Sequence, residues 1–407
     1  MSDGLRPRPP VTDPGEVSDL ARTLRAAGTF ALDLEFVSES RYIPELCLVQ
    51  VGWGSTEAPE VAALDPLAVD VGPVVALVGD PGVRTVLHAA TADLALLAQR
   101  FGIVPAAVLD SQVAAAFLGI GDQIGYGNLV EALLGLRLDK GAQFTDWRRR
   151  PLSPQQLAYA LDDVRYLHQL WPKLEARLRE RGRFAWAEDE TARVARAAVT
   201  RLLPEEAYRK VKGWNELHGK PLGALAGAAA WRERLALADN KPPSWIAQDR
   251  TLFDLARRIP HDVRALAEQR GLREGLAYKH GAELLTALRE GAADPPPSPP
   301  RFERLPAKAE VWSVLLSGIV AARAKETGIA PRYLAARDEV ERLVRWWLDG
   351  DRENPPPDLA VLAGWRHEIA GGALLAWLKG EAQLVIDEAS EVGVRMVGGG
   401  VAEQQVR

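Results

Sequence analysis

The chain has 407 residues, 47% hydrophobic and 26% charged, a length that exceeds one ordinary core and points to about two or three domains. Its single cysteine excludes an intrachain disulfide, and neither the ~20 apolar residues of a membrane span nor the apolar centre of a signal peptide is visible, so a cytoplasmic protein with no membrane partner is expected. The net charge of −5 argues mildly against a nucleic-acid binder, although a hydrolase that gathers carboxylates around metal ions adds negative charge of its own.

Taken in order, Val17 to Ala27 has the pattern of a short helix with Asp13 or Ser18 near its start. Phe30 to Val37 follows, apolar except for Asp33 and Glu35, and reads as a buried strand. Side chains alternate along a strand, so the two acids point one way and Leu32, Leu34 and Phe36 the other. Carboxylates that close raise each other's pKa unless a cation lies between them. From this stretch alone, a divalent-metal site and an ordinary exposed acidic pair both stay open.

A second strand is expected from Pro44 to Trp53, antiparallel to the first after a short loop, with Cys47 as a buried thiol. A third is plausible at Glu60 to Leu64. Helical patterns at Leu67 to Val78, Ala92 to Phe101, Ser111 to Leu118 and Asn128 to Leu134 then alternate with short strands at Thr85 to Leu87 and Ala107 to Leu109. This is a mixed α/β sheet with helices on its faces. Asp93 lies about one turn beyond the strand ending at Leu87-His88, where ligands gather in such sheets. A first-turn acid complementing the helix dipole explains it as well. Asp110-Ser111 reads as a helix cap, and His88 and His168 as packing residues. A long helix begins at Ser153-Pro154 and runs towards Glu180; Tyr159 and Asp163 share one of its faces.

These acids, with the fragments around them, resemble the bacterial ribonuclease D family. The resemblance is carried by Asp33-Leu-Glu-Phe-Val, Tyr42-Ile-Pro-Glu-Leu-Cys-Leu-Val-Gln, His88-Ala-x-x-x-Asp93-Leu, Asp110-Ser-Gln-Val-Ala-Ala-Ala-Phe-Leu-Gly, Leu138-Asp-Lys, Thr145-Asp-Trp, Arg150-Pro-Leu and Tyr159-Ala-x-x-Asp163-Val-x-Tyr-Leu, in order. Further on, Tyr208-Arg-Lys-Val-Lys-Gly, Ala230-Trp-Arg-Glu-Arg and Leu252-Phe-Asp-Leu-Ala-Arg-Arg-Ile-Pro resemble the helical HRDC module that the family shares with some helicases. Leu334-Ala-Ala-Arg-Asp-Glu-Val and Gly364-Trp-Arg-His-Glu resemble its second, more divergent repeat. The implied architecture is a ribonuclease H-like α/β exonuclease domain (1–200) followed by two all-α HRDC-type domains (204–291 and 307–386). A proline-rich linker (292–306) separates the two, and a disordered tail (387–407) is expected at the end. Leu34 stands where the family often has threonine, on the face away from the acids.

The implied activity is metal-dependent 3′–5′ exoribonuclease cleavage releasing nucleoside 5′-monophosphates in the maturation of transfer RNA precursors and other small RNAs, by a monomer. Two Mg²⁺ or Mn²⁺ ions about 3.5–4 Å apart would generate the nucleophile and hold the leaving 3′ oxygen, and such hard cations take oxygen ligands. By resemblance, Asp33 bridges both ions and Glu35 and Asp163 hold the nucleophile-side ion. Asp93 acts through the second ion's waters, and Tyr159 orients the attacking water. Lys140, Trp147, Arg148 and Arg150 are expected to hold phosphates and stack a base, with a solvated basic loop as the alternative. Arg209, Lys210, Lys212, Arg232 and Arg234 suit weak contact with an RNA backbone, and the many tryptophans are expected to be core anchors. A DNA-directed exonuclease and a non-catalytic RNA-binding scaffold remain as rivals.

Overall fold

The structure, a computed structural model, describes residues 8–138, 145–269, 271–298, 306–350, 352 and 354–398. Helix α1 (Pro14–Ala27) is capped by the Asp13 side chain, which accepts from the Glu16 amide, and stops at Gly28, whose φ of +68° favours glycine. That stop delivers the chain directly into β1 (Thr29–Val37). Strands β2 (Glu45–Gly54) and β3 (Pro59–Leu64) continue antiparallel from it. After a short helix α2 (Gly72–Val75), β4 (Arg84–Leu87) and β5 (Val108–Asp110) add in parallel on the other side, giving the order β3-β2-β1-β4-β5. The expected helix over Leu67 to Val78 shrinks to α2 and a 3-10 turn ending at Gly79, because Asp65 caps a turn through the Leu67 amide and Asp70 caps another through the Gly72 amide.

Strand β1 is central, and its pleat sorts two cores. Phe30, Leu32 and Leu34 pack with α1, α2 and α3 (Thr91–Phe101). The other face carries Ala31, Asp33 and Glu35, paired across β2 with Gly52, Gln50 and Leu48. Over that face lie α4 (Ser111–Phe117), α5 (Tyr126–Leu134) and the 27-residue α6 (Pro154–Glu180). A capping box between Ser153 and Gln156, with Pro154 at the first position, starts α6. Its approach to the sheet is set by Gly52, where a Cβ would sit 2.7 Å from the Val164 carbonyl oxygen. Helix α7 (Phe184–Val199) closes the domain.

The first helical unit, α8 (Gly219–Ala238), α9 (Pro243–Ile246), α10 (Asp249–Arg257), α11 (Val263–Ala267) and α12 (Glu274–Ala293), has a core of its own. It meets the exonuclease domain at the β1–β2 loop: Tyr42 packs on that core and donates to Glu233, and the Ile43 amide donates to Asn240 Oδ1 at 2.9 Å.

The second unit comprises α13 (Ala307–Thr327), α14 (Pro331–Leu334), α15 (Arg337–Asp349), α16 (Gly364–Arg366), a π-helical turn (His367–Gly371) and α17 (Gly372–Leu378). Its core is continuous with that of α4, α6 and α7. Trp365 stacks on Trp186 with centroids 5.3 Å apart, Phe117 sits against Tyr333 and Trp365, and the enclosed Glu190 pairs with both Arg193 and Arg366.

The two units repeat one order: a long helix, a proline-started single turn and an amphipathic helix. The short helices α9 and α14 both end on an extended alanine, Ala247 and Ala335, whose amide returns to the carbonyl of the opening proline.

The expected disorder from 387 onward is corrected for 387–398. Strands β6 (Gln383–Ile386) and β7 (Val394–Val397) form an antiparallel hairpin whose Leu384 and Met396 pack on the core, with Asp387 paired to Arg395 across the turn. The terminal position and the Gly398-Gly-Gly run suggested disorder, but alternating apolar residues with a surface to cover made strands. Among the described residues no helix is long and apolar enough to cross a membrane.

Gly52→Ala should push α6 off the sheet, costing about 1–3 kcal/mol by overpacking and lowering activity through displacement of the acid that α6 carries. Thermal unfolding and turnover of the variant check this; wild-type values for both would show that the close approach is dispensable.

Candidate active site

Strand alternation, α6 and α3 together converge the acids that the sequence scatters. Carboxylate oxygens of Asp33, Glu35 and Asp163 lie within 4.8 Å of one another. They open onto a cavity of about 400 Å³, lined also by Tyr159, His88, Tyr126, Asn128 and Leu167. Asp93, in the first turn of α3, is buried beside this group rather than lining the cavity, and its charge reaches Glu35. Asp162 points away and pairs with Arg165. The exposed-pair alternative for Asp33 and Glu35 falls, since both side chains are partly enclosed beneath α6.

Burial and mutual repulsion act in one direction. Desolvation raises Asp33 to about 7, against a lowering hydrogen bond from the Leu34 amide. Glu35 rises to about 9 through desolvation and then through Asp33, Asp163 and Asp93. Asp163 reaches about 9 through desolvation, Asp33 and Asp162, and Asp93 is pushed well above the carboxylate range by burial, Asp33 and Asp110. Tyr159 is raised by burial and by Asp163, Glu35 and Asp33, so its phenol keeps its proton. Oxygen donors packed this way, with no lysine or arginine lining the cavity among the described residues, suit a hard divalent cation.

Three supporting residues escaped the sequence reading. Tyr126 donates to the Asp163 backbone oxygen and lies 3.2 Å from that of Asp162, tying α5 to α6 at the acid. Gln50, fully enclosed, faces Asp33 across the strands with its Nε2 3.5 Å from Oδ2. Gly52 sets the height of α6. Each acts through a partner distant in sequence; the one visible signal was the conjunction of a polar residue and a glycine inside an apolar strand.

His88 is a packing residue as expected, with Nδ1 2.9 Å from Ser111 Oγ and its ring edge-on to Tyr126; burial lowers its pKa. His168 bonds the Gly54 carbonyl oxygen.

The expected substrate contacts need correction. Trp147 is 4% exposed, packed in the small core with Leu157 and Leu161, and cannot stack a base. Arg150 spends its guanidinium on Asp65 and on the Cys47 and Trp147 carbonyl oxygens, which makes it a framework residue. Arg148 is exposed and pairs with Asp146. Lys140 lies outside the described residues. In the first helical unit, Arg232 is likewise buried against Asp249 and the Ala247 carbonyl, while Trp245 is exposed rather than core.

A 3′–5′ exonuclease family model matches residues 9–179 and an HRDC domain model matches residues 223–288. The chain is 36% identical over 381 residues to a ribonuclease D of Gluconacetobacter diazotrophicus, covering 93% of this chain and 94% of the relative. It is 38% identical to a ribonuclease D of Acidiphilium cryptum, covering 89% and 90%. The crystal structure of Escherichia coli RNase D, described as an exoribonuclease involved in structured RNA processing, superposes with a TM-score of 0.79 at 28% identity, covering 92% of this chain and 99% of that one.

In a chelator, the folded chain holds protons on Asp33, Glu35 and Asp163 that the unfolded chain releases near pH 4. Raised carboxylate values mean that stability falls as pH climbs from about 4 to about 9. Cations displace these protons and bind better towards the alkaline end. Mn²⁺ should therefore raise the unfolding midpoint more at the alkaline end of that window than at the acid end, and release protons measurable in weak buffer. Stabilisation that ignores pH would count against the carboxylates as ligands.

Proposed function

The chain belongs to the ribonuclease D family of 3′–5′ exonucleases, and from that membership we propose that it shortens transfer RNA precursors and other small structured RNAs from the 3′ end, releasing nucleoside 5′-monophosphates. The observation that carries the reading is the meeting of Asp33, Glu35 and Asp163 within 4.8 Å in a partly enclosed cavity beside the Tyr159 phenol. Two divalent ions, Mg²⁺ or Mn²⁺, would supply an activated water and charge relief at the departing oxygen. Asp33, whose charge reaches Glu35, Asp93 and Asp163 alike, is the residue suited to share both ions. Glu35 and Asp163 would hold the ion on the side from which water attacks, and Asp93, set back, would act through the second ion's water shell. Tyr159 keeps its proton and serves as a donor that orients the nucleophile, rather than as a base.

The intact acidic set speaks against a non-catalytic scaffold. The parallel order of helices in the two C-terminal units supports a divergent second HRDC-type repeat at 307–386. We assign the protein to the cytoplasm, acting as a monomer.

Asp33→Asn should abolish release of mononucleotides while RNA binding stays near normal. Tyr159→Phe should lower turnover by about a hundredfold with metal binding intact. Digests of 3′-labelled and 5′-labelled RNA, with and without chelator and beside matched DNA, read out both variants. Full activity of Asp33→Asn would remove the site assignment, and preference for DNA would replace the substrate.

A further inference from the structure

Asp110 does not line the acidic cavity, though its charge reaches Asp93, and it is 3% exposed and more heavily hydrogen-bonded than a helix cap requires. Its Oδ1 accepts from the Gln112 amide at 2.8 Å and the Val113 amide at 3.4 Å, which caps α4. The same carboxylate reaches across to the exit of the neighbouring strand β4. There Oδ1 accepts from the Ala89 amide at 3.1 Å and Oδ2 from the Ala90 amide at 2.9 Å. Ala89 has φ +55°, in the left-handed region that an alanine rarely occupies. Ala90 is the N-cap of α3 and has no side-chain cap of its own. Asp93 is the third residue of that helix.

We propose that Asp110 is a positioning residue for the nuclease reaction: its carboxylate clamps the strained Ala89-Ala90 turn and thereby fixes the first turn of α3 and the place of Asp93. The geometry leaves the carboxylate little else to do beyond capping α4, since four amides take up both oxygens. A clamp is needed because the turn is strained. Without two accepted hydrogen bonds, Ala89 relaxes towards negative φ and α3 rotates at its start, where Asp93 is. A partner one step behind a metal ligand commonly changes metal affinity or activity about tenfold or more.

The proposal rests on the nuclease reading above, and the experiment separates the two. Mn²⁺ binding to the RNA-free full chain is measured by electron paramagnetic resonance, and kcat, KM for an RNA oligonucleotide and the Mg²⁺ midpoint of activity by kinetics, for Asp93→Asn, Asp110→Asn and Ala89→Val. Ala89 is exposed, so valine there leaves the α4 cap and the core intact while worsening the strain.

Asp110→Asn and Ala89→Val should each lower kcat about tenfold, weaken Mn²⁺ binding and raise the Mg²⁺ midpoint several-fold, with KM for RNA near wild type. Ala89→Gly should restore most of the loss in the Asp110→Asn background, because glycine adopts the turn without a clamp. Asp110→Asn should add little to Asp93→Asn, as expected for residues acting as one unit. If Asp110→Asn fails to fold, Ala89→Val decides alone. The proposal is overturned if Asp93→Asn impairs the enzyme while folded Asp110→Asn or Ala89→Val keeps wild-type kcat, Mn²⁺ binding and Mg²⁺ midpoint. It is overturned equally if losses follow only the unfolded fraction. An unaffected Asp93→Asn overturns the nuclease site and this proposal together.

Discussion

Repulsion among partly enclosed carboxylates is the constraint on which the rest of this structure depends. Charges on two of Asp33, Glu35 and Asp163, no more than 4.8 Å apart, repel by about 3 kcal/mol or more at an effective dielectric near 20. Among the described residues no lysine or arginine lines the cavity to offset this, and the chain answers instead by holding protons. Such a site is stable as folded only because surrounding packing forces it, and a cation placed there would remove the stress. Affinity for the ion and instability of the ion-free site are thus one property.

Several devices share the forcing, and each is an ordinary feature of α/β geometry. The pleat of β1 puts Asp33 and Glu35 on one face, and the bulge after Glu35 ends that alternation where the acids stop. Gly52 lets α6 lie close to β2, and Tyr126 ties α5 to the carbonyl oxygen of Asp163. The capping box of Ser153 and Gln156 fixes where α6 begins, hence which turn carries Tyr159 and Asp163. Strands, caps and one small residue therefore do the placing, while the apolar cores on both sides of the sheet resist the relaxation that repulsion would drive.

How much of this was legible follows from the range of each interaction. Period-two and period-four patterns are local, so the shared face of Asp33 and Glu35 and that of Tyr159 and Asp163 could be read directly, as could the Asp110 cap. What depended on distant partners could not. Trp147 and Arg150 sit in a basic, aromatic run that reads as an RNA contact, but Asp65, 85 positions earlier, claims the guanidinium, and Leu157 and Leu161 cover the indole. Tyr126 and Gln50 look unremarkable until α6 and β1 are beside them. The hairpin's second strand, Val394–Val397, was expected to be disordered for the same reason, since its apolar residues gain strand structure from the core they cover.

The two helical units attach to the catalytic domain in different ways, and the difference has a physical consequence. The second shares a continuous core with α4, α6 and α7, including stacked Trp186 and Trp365 and the enclosed Glu190 between two arginines. Removing it would expose that core, so it belongs to the stability of the helix that carries Asp163. The first keeps its own core and meets the domain at the β1–β2 loop, through Tyr42 and Ile43. Burial and Glu233 push the Tyr42 phenol up to about 12, so this joint keeps its proton, and with it its donor, across the neutral range. The loop continues β1 past Glu35, and the bulge between them lets the strand end turn towards the helical unit while the acids keep their common face. The joint therefore anchors the helical unit at the end of β1 without sharing the strain of the acids.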